Sequence, residues 1–249
     1  MDFRAALLDQ TQAFGELIRD ADPSTPVPTC PDWTLNQLFR HVGRGTRWAA
    51  QIIAERRTEP VAPREVRNGK PPDDPDAAID WLNDGPQQVI NAIDQVGPDA
   101  RVWTAAGMRP AGWWIRRLLH EVGGHRADAA LALGVDYNLP PEQAADAISE
   151  WIELMLLQSQ RLQPAVDRGR TLHLHATDAG LGPTGEWTVV HDEHGLAWSH
   201  DHGKGDVALR GPVRDLLLAI MRRRQVQELD IEVFGDEAVW DAWLQRTPF

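Results

Sequence analysis

Hydrophobic residues recur every three or four positions along the first two thirds of the chain, which is the spacing of amphipathic helices. Local signals define the ends of these helices: Thr34-x-x-Gln37 forms a capping box, and Gly134 follows an apolar stretch as a helix stop. Gly85-Pro86 is expected to weaken the predicted helix over residues 77–97. The pattern predicts five helices, over residues 3–21, from Thr34 to before residue 57, over 77–97, over 111–133, and from after Pro141 to about 162.

Beyond Pro164 the pattern changes to short, partly alternating segments separated by Gly-rich turns, which is typical of strands. The predicted strands cover residues 171–176, 186–191, 195–199, 207–209 and 230–234, and helices are predicted over 212–223 and 236–244. We therefore expect an α+β protein with two domains. Residues 1–162 would form an antiparallel helical bundle, and residues 163–249 a small α+β domain.

Composition excludes several classes of protein. With 42% hydrophobic and 25% charged residues the chain is globular, and no apolar run approaches the ~18 residues of a membrane span. A net charge of −12 argues against nucleic-acid binding. Met1–Arg4 does not begin a signal peptide, and the single cysteine, Cys30, excludes internal disulfides. We expect a cytoplasmic protein without nucleic-acid or membrane partners.

Three residues of the predicted bundle could form a metal site. Glu121 and His125 stand at i and i+4 on the fourth helix and therefore share one face, one turn apart. His41, within the apolar face of the second helix, could meet them from a neighbouring helix. Three protein ligands with an open position are usual for catalytic zinc. The alternative is an ordinary Glu–His pair beside a core histidine.

Other candidate residues have simpler interpretations. Cys30, between Thr29 and Pro31, has no obvious base nearby in the sequence, so we expect a structural role. Trp113 and Trp114 precede the helical turn that carries Glu121, and one of the two must point away from the bundle interior. We expect Trp114 to line a cofactor pocket. Six histidines of the second domain lack the usual spacing of metal ligands and favour structural roles, namely His173, His175, His191, His194, His200 and His202.

The motifs resemble those of a known family. Pro31-Asp32-Trp33-Thr34, continued by Leu38 and His41, is similar to the first motif of mycothiol-dependent maleylpyruvate isomerases. This family is a branch of the DinB-like metal-binding proteins, so the resemblance implies a four-helix bundle for the first domain. The segment 114–121, followed by His125-Arg126-Ala127-Asp128, resembles their second motif, although relatives often carry Trp at the position of Ala127. The closing segment 233–236 resembles their sterol-carrier-protein-like C-terminal domain.

The resemblance implies a site and an activity. It places the zinc ligands on His41, Glu121 and His125, and a substrate-binding arginine of the second domain on Arg223, for which a basic helix end is the alternative. Zinc, or another divalent metal, would bind mycothiol as a thiolate that attacks a small electrophilic substrate in the cleft between the domains. The expected enzyme is a mycothiol-dependent isomerase or S-transferase. The alternatives are a hydrolase using zinc-bound water and a non-catalytic small-ligand or lipid-binding protein.

Overall fold

The computed structural model describes residues 1–159 and 163–247 and divides the chain into two compact units, Met1–Tyr137 and Asn138–Phe249. The first unit is helical and the second combines helices with a sheet, so the chain has the expected α+β architecture. The predicted boundary follows residue 162, whereas the structure divides the chain 25 residues earlier. The helix that follows Pro140 therefore belongs to the second unit.

The first unit is a four-helix bundle in which α1 and α2 each pack against both α3 and α4. A short antiparallel ladder, which the sequence analysis did not predict, joins β1 to β2 between the last two helices. Gln37 accepts a hydrogen bond of 2.7 Å from the backbone N–H of Thr34, and Gly134 ends α4 at φ 65°, so both predicted end signals are present. The elements are α1 (Phe3–Ile18), α2 (Leu35–Ala54), α3 (Pro75–Val96), β1 (Arg101–Val102), β2 (Arg109–Pro110) and α4 (Trp113–Leu133).

Helix α3 continues through Pro86, where the sequence analysis expected weakness. The buried guanidinium of Arg47, on α2, donates hydrogen bonds to the carbonyl of Trp81 in α3 and to the carbonyl of Gly43 in its own helix. The same guanidinium lies 4.3 Å from the centroid of the Trp81 ring. These contacts of Arg47 link α2 to α3 five residues before Pro86.

Close approach of α2 to α3 depends on the absence of side chains at two glycines. A Cβ at Gly43 would lie 2.1 Å from the Trp81 ring, and one at Gly85 would lie 2.1 Å from the Thr46 hydroxyl. Both distances are shorter than atoms tolerate, so the helices would have to separate.

We expect Gly43→Ala to destabilise the protein by about 1–3 kcal/mol, because the added methyl overpacks the contact with Trp81. Gly45→Ala on the same helix is the matched control, since nothing lies within 4 Å of its Cβ position. The control should be neutral or stabilising, by up to about 1 kcal/mol of helix propensity. Urea unfolding monitored by circular dichroism measures both changes, and equal effects of the two substitutions would contradict the packing argument.

The second unit packs helices against one face of a five-stranded sheet with the strand order β5-β4-β3-β6-β7. All neighbouring pairs are antiparallel except β3 with β6, which are parallel. The elements are α5 (Pro141–Ser159), β3 (Thr171–Ala176), β4 (Glu186–Asp192), β5 (Gly195–Ser199), β6 (Val207–Gly211), α6 (Val213–Ile220), β7 (Glu232–Gly235) and α7 (Glu237–Arg246).

Helix α5 shares the core of this sheet. Ile148 and Ile152 belong to the same buried cluster as Leu172 and Leu174 of β3, and the indole N–H of Trp187 donates to Ser149 across 2.9 Å. The contacts of α5 explain the shifted boundary, because its apolar face is buried against strands rather than in the bundle. No helix in the described part of the chain is long and apolar enough to cross a bilayer.

Candidate metal centre

The structure brings together the three residues that the sequence analysis proposed as metal ligands. His41 lies on α2, and Glu121 and His125 lie one turn apart on α4. The Nε2 atom of His41 is 3.1 Å from Oε1 of Glu121, and Nε2 of His125 is 3.3 Å from the same oxygen. The two imidazole rings are edge to face, with centroids 4.8 Å apart. Two nitrogen atoms and one carboxylate oxygen therefore converge on one point in the bundle.

The donor set fits a divalent metal of the zinc type. Two atoms each about 2.0–2.1 Å from a tetrahedral ion are separated by ~3.3 Å, close to the distances that Glu121 Oε1 makes here. His41 is 34% exposed and Glu121 26%, whereas His125 is almost buried. The cluster is thus accessible from the side of His41, as a catalytic metal site with an open coordination position requires.

A buried carboxylate orients His125 from behind. Asp128 is fully buried, and its Oδ2 atom lies 2.8 Å from Nδ1 of His125, which leaves Nε2 of the ring to face Glu121. The hydroxyl of Thr29 donates to Oδ1 of Asp128 across 2.6 Å. A carboxylate that accepts the second N–H of a ligating histidine is a common supporting arrangement in metal sites. The complete burial of Asp128 favours this supporting role over that of a surface ion pair.

Cys30 lies beside this centre, in contrast to the expectation that it has no base nearby. Its Sγ atom is 3.6 Å from Oδ2 of Asp128, the oxygen that also contacts His125. The thiol therefore stands on the Nδ1 side of the His125 ring, away from the nitrogen that faces Glu121. The sequence around Cys30 could not indicate this contact, because 98 residues separate Cys30 from Asp128.

The charges of the centre favour a bound cation. Burial opposes ionisation of Glu121, but hydrogen bonds from His125 and His41 outweigh it and hold the pKa of Glu121 well below its usual range. Burial also opposes a charged His125, yet hydrogen bonds with Asp128, Cys30 and Glu121 raise the pKa of that imidazole well above its usual range. Two carboxylates thus stabilise a positive charge between them, and a divalent metal would take the place of that proton.

Two further residues contact the metal-ligand cluster, and the sequence analysis did not assign either to the site. The indole ring of Trp33 lies 4.9 Å from the His41 ring, centroid to centroid, and limits the positions that this imidazole can take. Arg117 donates to Oε2 of Glu121 across 3.0 Å, one turn before it on α4. This second contact leaves Oε1 as the oxygen that faces both histidines. The i, i+4 spacing of Arg117 and Glu121 was the available sequence signal.

The other two predicted site residues are Trp114 and Arg223. Trp114 is 4% exposed in the core of the bundle, where its ring packs edge to face against Trp48 and Trp113. This position does not support direct contact with a cofactor, because other side chains of the core surround the ring. Arg223 follows α6 in the second unit and donates to the carbonyl of Met221 across 3.0 Å. A role of Arg223 in substrate binding stays a prediction.

Comparison with known proteins gives consistent results for both units. Residues 4–130 match the family model of the mycothiol maleylpyruvate isomerase N-terminal domain, and residues 142–242 match the MDMPI C-terminal domain. A crystal structure of the mycothiol-dependent maleylpyruvate isomerase superposes with a TM-score of 0.62 at 17% identity, covering 93% of this chain and 91% of that chain.

A histidine-to-alanine mutant of the mycothiol-dependent maleylpyruvate isomerase gives a TM-score of 0.61 at 16% identity, with the same coverage of both chains. No curated protein matches the sequence significantly. The two structural similarities establish the fold, and the match to the N-terminal domain alone spans more than half of the sequence. The chain therefore belongs to the mycothiol maleylpyruvate isomerase family.

Proposed function

We propose that the protein is a mycothiol-dependent enzyme, an isomerase or an S-transferase, that acts on a small electrophilic substrate at a divalent metal, zinc first among the candidates. The observation that carries this proposal is the convergence of His41 Nε2, His125 Nε2 and Glu121 Oε1 in a chain of this family. The three ligands would hold the metal, which supplies Lewis acidity and lowers the pKa of a bound thiol so that the thiolate is present at neutral pH.

The side chains around the metal ligands have separate tasks in this proposal. Asp128 holds His125 in the tautomer whose Nε2 lone pair faces the metal position, and Arg117 fixes the carboxylate of Glu121. Trp33 covers one side of His41 and leaves a less hydrated surface beside it. Since charge interactions are stronger where water is excluded, this surface would help to keep a thiolate in place.

The sulfur nucleophile should come from outside the chain. Cys30 is the one cysteine in the sequence, and its Sγ atom contacts the carboxylate behind His125 rather than the atoms that converge at Glu121. A low-molecular-weight thiol can instead approach from the exposed side of His41. This arrangement supports mycothiol as a co-substrate.

The decisive experiment is a turnover assay on a panel of small electrophiles that includes maleylpyruvate, with protein stripped by a chelator and then reloaded with Zn²⁺. We expect turnover only when both metal and mycothiol are present. An isomerase returns the thiol unchanged with a rearranged product, whereas an S-transferase gives a stable thioether. Turnover with metal but without thiol would instead indicate a hydrolase, and metal binding without any turnover would indicate a binding protein.

Replacing Cys30 by Ser is expected to leave mycothiol-dependent turnover within a few-fold of the wild-type value. The serine hydroxyl can still donate to Asp128, and the sulfur of Cys30 is not the proposed nucleophile. Steady-state kinetics with saturating mycothiol measure the effect. A Cys30→Ser protein that binds metal normally but has lost turnover would show that the protein's own thiol takes part.

A further inference from the structure

Three histidines and a glutamate of the second unit converge in a second cluster. His173 and His175 lie on β3, Glu186 begins β4, and His202 follows β5. A nitrogen of each imidazole approaches Oε2 of Glu186: Nε2 of His173 at 3.3 Å, Nδ1 of His175 at 3.6 Å and Nδ1 of His202 at 2.7 Å. The three ring centroids form a nearly equilateral triangle with sides of 6.1–6.2 Å.

Sheet geometry explains why these residues meet. His173 and His175 are two positions apart on one strand and therefore share a face, opposite to the face on which Leu172 and Leu174 join the core. Register pairs His175 with Glu186, so both side chains project to the same side. The sequence analysis assigned these histidines structural roles because their spacing along the chain gave no ligand pattern without the strand pairing.

A glycine brings the fourth member of the cluster into place. His202 belongs to the segment 200–206, and a Cβ at Gly205 of this segment would lie 3.0 Å from the backbone N of His173. Only a residue without a side chain can approach β3 this closely. As a result the segment covers His173, which is 4% exposed although it lies on the face opposite to the core.

Hydrogen bonds fix the orientation of the His173 ring. The hydroxyl of Thr188 donates to the carbonyl of Asp201 across 2.8 Å, so at 3.0 Å it accepts from Nδ1 of His173. A ring whose Nδ1 donates to Thr188 turns its Nε2 atom toward a carboxylate oxygen, Oε2 of Glu186, 3.3 Å away. A cation held between these two atoms would be bound by both of them.

We propose that His173, His175, Glu186 and His202 form a second metal site, for a divalent transition-metal ion of the zinc type. Three imidazole nitrogens and one carboxylate oxygen make a closed four-ligand set, which is characteristic of structural rather than catalytic zinc. The distances from Oε2 of Glu186 to the three nitrogens, 2.7–3.6 Å, bracket the ~3.3 Å expected around a tetrahedral ion. A metal here ties the 200–206 segment to β3 and β4 and stabilises the second unit independently of the centre in the bundle.

Thr188 is a positioning residue in this proposal. Its hydroxyl accepts the Nδ1 proton of His173 and so directs the Nε2 lone pair toward Glu186. Loss of such a partner typically weakens metal binding by about 10–100-fold. Thr188→Val keeps the shape of the side chain and removes the hydroxyl, so it tests the role of the hydrogen bond without deleting a ligand.

The test is Zn²⁺ titration of the full-length His41→Ala protein, which lacks a ligand of the bundle centre, against a chromophoric chelator. We expect one equivalent of Zn²⁺ per chain, a rise in Tm on binding, and loss of both when His175→Ala and His202→Ala are added. Thr188→Val in the same background should bind about 10–100-fold more weakly. His194→Ala is the matched control, because that histidine is 83% exposed and outside the cluster, and it should change nothing.

Two outcomes would overturn the second site. The first is absence of Zn²⁺ uptake by His41→Ala protein whose circular dichroism spectrum is native. The second is uptake that the His175→Ala and His202→Ala substitutions leave unchanged. Because the background already lacks the bundle centre, failure of the proposed enzyme function would not alter this result.

Discussion

Replacing His41 by alanine is expected to abolish mycothiol-dependent turnover and to remove one equivalent of metal per chain. The substitution deletes one of three protein ligands, so the loss of affinity should exceed the roughly 10–100-fold that follows removal of a supporting residue. His41 is 34% exposed, and Glu121 keeps its contacts with His125 and Arg117, so the bundle should remain folded. Metal analysis after dialysis and turnover with saturating mycothiol measure the two losses.

The matched control is His194→Ala, which removes an exposed histidine from the turn between β4 and β5. It should retain wild-type turnover and the wild-type metal content. If His41→Ala protein with a native circular dichroism spectrum turned over substrate at the wild-type rate, the proposed centre would be wrong. Retention of the full wild-type metal content with loss of turnover would mean instead that His41 acts on the substrate rather than on the metal.

Replacing Asp128 by asparagine is expected to reduce metal affinity, turnover or both by about 10–100-fold. The amide has the shape of the carboxylate but not its charge, so it stabilises a metal-bound imidazole less well. Its –NH₂ group can also face His125 or Thr29 and replace an acceptor with a donor. Zn²⁺ titration and steady-state kinetics measure the effect, and urea unfolding separates it from a general loss of stability.

Thr29→Val provides a graded comparison for this second substitution. It removes one hydrogen bond to Oδ1 of Asp128 and leaves the contact between Oδ2 and His125 in place. Its effect on metal affinity should therefore be smaller than that of Asp128→Asn. Equal affinities of the Asp128→Asn and wild-type proteins for Zn²⁺ would show that the buried carboxylate serves packing only.

Local signals predicted most elements of the fold. The Thr34 capping box and the left-handed Gly134 are properties of neighbouring residues, so they are legible in one sequence. The i, i+4 spacing of Glu121 and His125 likewise depends on one helix alone. The boundary between the units was misplaced because the apolar stripe of α5 has the same period whether it packs on helices or on a sheet.

Residues that meet only through tertiary structure could not be predicted in the same way. Cys30 and Asp128 are separated by 98 residues, and no spacing rule connects the segment before α2 with the middle of α4. The cluster at Glu186 depends on strand register, which places Glu186 beside His175. The contact of Arg47 with the carbonyl of Trp81 likewise joins two helices, and no local spacing indicates it. Each of these contacts needs the partner element to be known first.

The metal centre joins residues that are far apart in the sequence, and this has a consequence for folding. It contacts Thr29, 99 residues away, and His41 meets Glu121 across 80 residues, so the centre consists of contacts between distant parts of the chain. Such contacts form after the local helical ones, because closing a long loop costs more conformational entropy than closing a short one. A metal held there binds the completed bundle and not its unfolded chain, so its binding free energy adds to the stability of the native state. Protein stripped of metal by a chelator should therefore unfold faster than protein with metal bound. The helices should form at similar rates in both.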